Sequence, residues 1–292
     1  MKISTYFDPA LRQCLNQDMA LRKLNTKTQI NYIRSVNKLC EYLKHSPGTA
    51  TDEELRLFQL FMVNQGDSGA TINSTLSGLR FLYQNTLDNP KVIRKLSTIP
   101  IPRALPVVLN VDEVKRLLAA ANHPKYKAAL AVAYGAGLRI SEVVSLKVSD
   151  VDSKRMTLRV EKGKGGRDRY ALLSPILLEH LRAWWQFAHQ HRLMFPEGWL
   201  FPGQDPINHI STRQLSRVCK DIARVAGITK KVSMHTLRHS FATHLLESKV
   251  DIRVIQILLG HSRLSTTALY AQVATNLLKE VISPLDRLKE PM

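Results

Sequence analysis

The sequence predicts a mainly α-helical chain with one small β-sheet, an α+β protein, divided into two domains. Three observations carry this expectation. Apolar residues recur at helical spacing, as in Ile30, Ile33, Val36, Leu39, Cys40 and Leu43. Three prolines crowd the segment Pro100-Ile101-Pro102-Arg103-Ala104-Leu105-Pro106. Each fixes φ and removes a backbone donor, which favours an extended connector over a helix. Finally, Thr157–Val160 and Arg169–Leu173 read as two strands around the glycine-rich turn 161–168. A chain of 292 residues with 44% apolar residues is long enough to bury two cores.

In chain order, Asn25 or Thr26 caps a helix running to about His45. Thr51-Asp52-Glu53-Glu54 is a capping-box pattern that opens a second helix through Phe61 and Met62. A third begins near Ser68 or Ala70, carries Ile72, Leu76, Leu79 and Tyr83, and ends before Asp88-Asn89-Pro90. Residues 1–97 thus form a helical domain, 98–106 the linker, and 107–292 the second domain. There Asn110, with Glu113 three residues on, caps a helix. An alanine-rich helix over Lys127–Tyr134 ends at Gly135 and Gly137. Further helices are expected over 175–190, 212–226, 235–248 and 251–259.

The formal net charge of +18 points to a polyanionic partner, nucleic acid before an anionic membrane surface. Residues 1–100 hold 13 Lys and Arg against 8 Asp and Glu, and residues 101–292 hold 29 against 16. The excess therefore concentrates in the second domain. Lys27, Arg34 and Lys38 lie opposite the apolar stripe of their helix, as phosphate contacts or simply as a solvated face. Cys14, Cys40 and Cys219 are far apart and lack metal-ligand spacing, so packed, reduced thiols are expected. The N-terminus lacks the apolar core of a signal peptide, and no run approaches the ~20 apolar residues of a membrane span. A cytoplasmic, nucleoid-associated protein is the expectation.

Four segments carry chemistry-bearing residues. Gly163-Lys164-Gly165-Gly166-Arg167 does not fit the Walker phosphate loop, because it leads into a strand instead of opening a helix. It is a plain solvated turn, or a basic tip whose Lys164 and Arg167 reach into a groove. His235-Thr236-Leu237-Arg238-His239 opens a helix. His235 and His239 could share a metal, but Thr236 stands where a zinc hydrolase places its glutamate. His235 and Arg238 also share a face near the helix N-terminus, which suits a phosphate. Gly137-Leu138-Arg139-Ile140-Ser141-Glu142 supplies a second arginine, and Tyr270 follows Gly260-His261 at nine residues from the histidine. Phosphodiester cleavage needs a nucleophile, stabilisation of charge on the phosphorane and a proton for the leaving oxygen. Tyr270 can supply the first, Arg139 with Arg238 the second, and Lys164 or a histidine the third.

Together, Gly137-Leu138-Arg139-x-x-Glu142, Gly163-Lys164-Gly165, His235-x-x-Arg238-His239 and Leu259-Gly260-His261 to Tyr270 resemble the tyrosine recombinases, the phage-integrase and Xer-type family. The resemblance covers nearly the whole chain. It implies a helical, SAM-like core-binding domain and a mixed catalytic domain that form a C-shaped clamp on DNA. It implies that Tyr270 attacks the scissile phosphate to give a 3′-phosphotyrosyl link and a free 5′-hydroxyl. Arg139 and Arg238 would clamp the non-bridging oxygens, Lys164 would protonate the 5′-oxygen, and His235 and His261 would assist. Glu142 would orient Arg139.

No metal, cofactor or ATP is implied. The implied partners are double-stranded DNA with inverted-repeat core sites and further copies of the chain in a synaptic tetramer. A second recombinase or accessory protein stays open. Ala271-Gln272 depart from the small residue and histidine that follow the tyrosine in many bacterial members. With a divergent first domain, this favours integration or excision of a mobile element over Xer-type dimer resolution. A type IB topoisomerase and a non-catalytic DNA-binding accessory protein are further alternatives. The tail with Val273, Leu277, Leu278, Val281 and Ile282 either closes its own core or docks on a neighbouring protomer.

Overall fold

The computed structural model describes residues 3–102, 105–161, 168–261 and 263–272. The chain forms two compact units, Met1–Arg103 and Ala104–Met292. The first is helical: α1 (Pro9–Leu21), α2 (Thr26–Leu43), α3 (Asp52–Asn64) and α4 (Gly69–Phe81), the last running into a π-helical turn at Leu82–Thr86. Helix α1 is not assigned from sequence. Its start is nonetheless written in Asp8-Pro9: the Asp8 carboxylate accepts from the Ala10 and Leu11 amides, and Pro9 lies in the first turn. The expected caps are present at Asn25 and at the Thr51/Glu54 box.

Leu15, Met19, Leu39, Leu55, Phe58 and Leu76 form the buried core of this unit. Helices α2 and α4 cross closely at Gly78, where an added Cβ would lie 2.8 Å from the Ser35 side chain. The first unit reaches into the proline-rich segment. Gln59 makes two hydrogen bonds with the Ser97 backbone (2.6 and 3.0 Å) and Asn73 two with Ile99 (2.8 and 2.9 Å). These side chains satisfy backbone groups that an extended strand without a neighbour leaves open.

The second unit contains α5 (Val111–Ala119), α6 (Pro124–Gly135), α7 (Ile140–Val144), β1 (Val151–Asp152), β2 (Thr157–Val160), β3 (Arg169–Leu172) and α8 (Pro175–Gln190). It continues with α9 (Thr212–Val225), α10 (Met234–Glu247), α11 (Ile252–Leu259) and α12 (Leu264–Ala268), ending in a 3₁₀ turn at Leu269–Gln272. The sheet is antiparallel in the order β1-β2-β3, with Leu158 opposite Ala171 and Val160 opposite Arg169. Leu158, Val160 and Ala171 turn inward while Arg159 and Leu172 face solvent, the alternation expected of a one-sided sheet.

Small buried residues on α6 (Ala128, Ala129, Ala131 and Ala133) let α8 and α10 pack against it. Trp184 of α8 is fully buried and donates its indole N–H to the Leu200 carbonyl at 2.7 Å. The strand β1 and the five-residue helices α7 and α12 are not assigned from sequence, being too short to display a period.

Helix α6 stops at Gly135, but the left-handed residue beyond it is Gly137, with φ +62°. A Cβ at Gly137 would meet the Phe241 ring at 2.4 Å. Gly137→Ala therefore combines backbone strain with overpacking and is expected to destabilise the second unit by about 3 kcal/mol. A thermal melt of the variant that matches the wild type would contradict this account of the turn.

Candidate active site

Arg139 stands at the N-cap of α7, directly after the Gly137 turn. Glu142, three residues on, accepts the Arg139 backbone N–H at 2.8 Å and the Arg139 guanidinium at 2.8 Å. One carboxylate thus both caps the helix and holds the arginine. Arg139 also donates to the Gly260 carbonyl at 3.4 Å, tying α7 to the end of α11.

Arg238, in the first half of α10, is only 4% exposed. Its guanidinium donates to the carbonyls of Gly137 and Leu259, both at 2.7 Å, and lies 3.1 Å from His261 Nε2. Burial and the neighbouring Arg139 push its pKa down to about 10, so it remains charged at neutral pH. An arginine can only donate, so His261 Nε2 must accept, and the ring proton sits on Nδ1. That proton faces the buried Thr267 hydroxyl, 2.9 Å away, which fixes the ring's orientation.

Glu142 is the centre of the cluster. Besides Arg139 it takes a two-pronged contact from Arg169 of β3, at 2.9 and 3.1 Å, and lies 3.7 Å from Arg238. Burial alone would raise its carboxyl pKa, but the hydrogen bonds and charges of Arg169 and Arg139 outweigh that and hold it below the usual range. Three guanidiniums around one carboxylate leave a net positive site that an incoming phosphate would complete.

Tyr270, in the 3₁₀ turn, is 3% exposed and packs with Phe241, Ala242, Ile255 and Leu259. Its hydroxyl lies 3.2 Å from His239 Nδ1. Its ring stacks near His261 at a centroid distance of 6.3 Å. Burial raises the phenol pKa, and the adjacent Arg238 pulls it back toward its ordinary value. His235 is exposed at the first turn of α10; partial desolvation and the charges of Arg238 and Arg139 lower its pKa.

The structure therefore brings Arg139, Glu142, His235, Arg238, His261 and Tyr270 into one neighbourhood. Lys164 and Arg167, and the tail beyond Gln272, lie outside the described residues. In the first unit Lys27 and Arg34 are exposed on α2, and Arg34 and Lys38 line a groove with Asn31, Thr71 and Ser74. Lys38 is ion-paired to Asp67, which its sequence position does not reveal. The metal alternative gains no third ligand. Among the described residues, no group of three or more His, Cys, Asp or Glu side chains could hold a metal ion.

Two site residues are missed by sequence reasoning. Arg169 reads there only as a strand residue. Its sole local signal is Gly260, whose left-handed backbone (φ +62°) leaves space that an added Cβ, 2.9 Å from Arg169 Cδ, would close. His239 reads as a possible metal ligand and as part of the His235-x-x-Arg238-His239 motif, with no role of its own assigned.

Comparison with known proteins bears on this geometry. Residues 107–276 match the model of the phage integrase family, and residues 11–91 that of the phage integrase N-terminal SAM-like domain. The chain is 39% identical over 283 residues to the integrase/recombinase y4qK of Sinorhizobium fredii, covering 96% of this chain and 90% of that protein. It is 39% identical over 218 residues to the tyrosine recombinase XerA of Pyrococcus horikoshii, covering 74% of each.

A lambda integrase dimer bound to a COC′ core site shares the fold, with TM-score 0.70 at 18% identity over 97% of both chains. So does the XerH recombinase bound to its difH substrate before cleavage, with TM-score 0.68 at 22% identity over 95% of this chain and 92% of that one. The buried arginine cluster beside a tyrosine is thus found within a chain whose sequence is matched along most of its length by integrases and recombinases. This protein belongs to the phage integrase family of tyrosine recombinases and is a tyrosine-type site-specific DNA recombinase.

Proposed function

We propose that Tyr270 is the nucleophile of this recombinase and that Arg139, Lys164, His235, Arg238 and His261 complete its active site. The observation that carries the reading is the convergence of Arg139, His261 and Tyr270, drawn from separate stretches of sequence, on Arg238, which shares the Glu142 carboxylate with Arg139. In strand cleavage the Tyr270 oxygen bonds to the scissile phosphorus, and the bond to the 5′-oxygen breaks with its electron pair. The departing oxygen takes a proton from Lys164, and the phenolic proton passes to solvent with His235 as relay. Arg139 and Arg238 hold the non-bridging oxygens and offset the charge that builds on the phosphorane. The phosphotyrosyl link retains the energy of the broken bond, so a second 5′-hydroxyl reverses the step without ATP or metal.

In this reading residues 1–97 are the core-binding domain, 98–106 the linker and 107–292 the catalytic domain. Exposed Lys27 and Arg34, and Lys38 once released from Asp67, contact phosphates, with Arg167 adding a further contact. The DNA carries inverted-repeat core sites, the working assembly is a synaptic tetramer, and the reaction takes place in the cytoplasm at the nucleoid. The favoured role is integration or excision of a mobile element, supported by the Ala271-Gln272 departure and by the integrase/recombinase relatives. The similarity to XerA supports dimer resolution as the second reading.

The test is adduct capture. The protein is mixed with fragmented genomic and mobile-element DNA, and the ends held after denaturation are sequenced. Adducts on 3′ ends at one recurring sequence are expected; adducts on random ends would replace site-specific cutting with topoisomerase-like relaxation. Lys164 has its own test. Lys164→Ala should slow cleavage about 10³-fold on ordinary DNA but far less on a 5′-bridging phosphorothiolate, whose leaving group needs no proton. Equal slowing on both substrates would remove Lys164 as the acid.

A further inference from the structure

The role of His239 is not covered by the six residues assigned above, yet its Nδ1 is 3.2 Å from the Tyr270 hydroxyl oxygen. The two rings are tilted by 51° with centroids 5.6 Å apart, so the imidazole edge, not its face, meets the hydroxyl. His239 follows Arg238 directly on α10, and the tyrosine lies against both. We propose that His239 is a positioning residue for strand cleavage: its Nδ1 accepts the Tyr270 O–H and so turns the lone pairs of the phenol oxygen toward the phosphate held by the arginines. This rests on the reading of Tyr270 as the nucleophile.

The direction of this hydrogen bond matters. A phenol attacks phosphorus through an oxygen lone pair, so its proton must point away from the phosphate. Arg238, which also hydrogen-bonds the phenol oxygen, can only donate, which leaves His239 Nδ1 to receive the proton's hydrogen bond. The acceptor is available at neutral pH, because burial and the nearby His235 and Arg238 push the imidazole down to about 4 and keep it uncharged. The same shift argues against complete proton removal by His239. Transfer from a phenol raised above its ordinary value to an imidazole lowered to about 4 is strongly uphill. Orientation is what this histidine can supply. The ring of His261, stacked on the tyrosine, restricts the phenol from a second direction.

The test measures single-turnover adduct formation and DNA affinity, at fixed salt, on a nicked duplex carrying the sequence recovered by adduct capture. Wild type, His239→Phe, His239→Asn and Tyr270→Phe are compared as full-length proteins. Asparagine places an acceptor oxygen near the Nδ1 position, whereas phenylalanine keeps the ring and removes the acceptor. His239→Phe should slow adduct formation about 100-fold with affinity unchanged, and His239→Asn should stay within about tenfold of wild type. Equal slowing in both variants, or a parallel loss of affinity, would mean that the ring only supports the fold. A rate at or above wild type in His239→Phe would make the contact dispensable, or a latch. Either result overturns the proposal. Adduct from Tyr270→Phe would instead overturn the nucleophile assignment, an outcome separable from all of these.

Discussion

Tyr270→Phe is expected to abolish denaturation-resistant attachment to DNA while leaving affinity within about a factor of two at matched salt. The affinity term comes from cationic side chains that the substitution does not touch, and the phenol is 3% exposed and internally packed. The chemical term disappears because the hydroxyl set against Arg238 is removed. The variant should also fold. Its ring remains within the Phe241, Ala242, Ile255 and Leu259 cluster, and the lost hydrogen bond to His239 costs about 1 kcal/mol. Electrophoresis under denaturing conditions, on DNA carrying the recovered site, reads the result directly. Adduct at the wild-type level in the variant would require another nucleophile and would dismantle the proposed site.

Sequence reasoning reaches some parts of this molecule and not others, and the division follows interaction range. The boxes Thr51/Glu54 and Asn110/Glu113 are three-residue devices, and both form as their spacing predicts. The hairpin 157–172 is likewise local, since each strand pairs with its neighbour in the chain. The Arg139–Glu142 contact is legible for the same reason, because a glutamate at the third helical position reaches back to the cap.

Contacts between distant segments are another matter. Arg169 meets Glu142 across 27 residues, and His239 meets Tyr270 across 31. No periodicity links such pairs; they become neighbours only when β3, α7, α10 and the last turn are packed together. Helix α1 is within reach, with Leu11, Leu15 and Met19 at helical spacing, but its Asp8-Pro9 start is a weaker signal than the boxes further on. Lys38 shows the opposite limit: its position on a polar helix face suggests a free charge, and only the fold reveals Asp67 beside it.

Glu142→Ala should have the largest effect on the second unit's stability, a loss of about 3–5 kcal/mol. The carboxylate is 5% exposed and partners Arg139 and Arg169 directly, with Arg238 close by. Removing it leaves three guanidiniums facing one another in a poorly solvated space, and it also strips α7 of its cap. Glu142→Gln keeps the shape and part of the hydrogen bonding but not the charge, so its loss should be smaller while adduct formation still falls. These charges also set a pH dependence.

The Glu142 carboxyl is held below its ordinary value of 4.5, so it binds fewer protons in the folded state than in the unfolded state. Its contribution to stability is therefore present above that ordinary value and is lost as pH falls through the lowered one. Melting temperatures followed downward from neutral pH should drop more steeply for wild type than for Glu142→Gln, with the curves converging in acid. Parallel curves would show that Glu142 is not ionised against the arginines. The arrangement would then stand as a packing feature, and the aim of Arg139 and Arg238 at a phosphate would need another source.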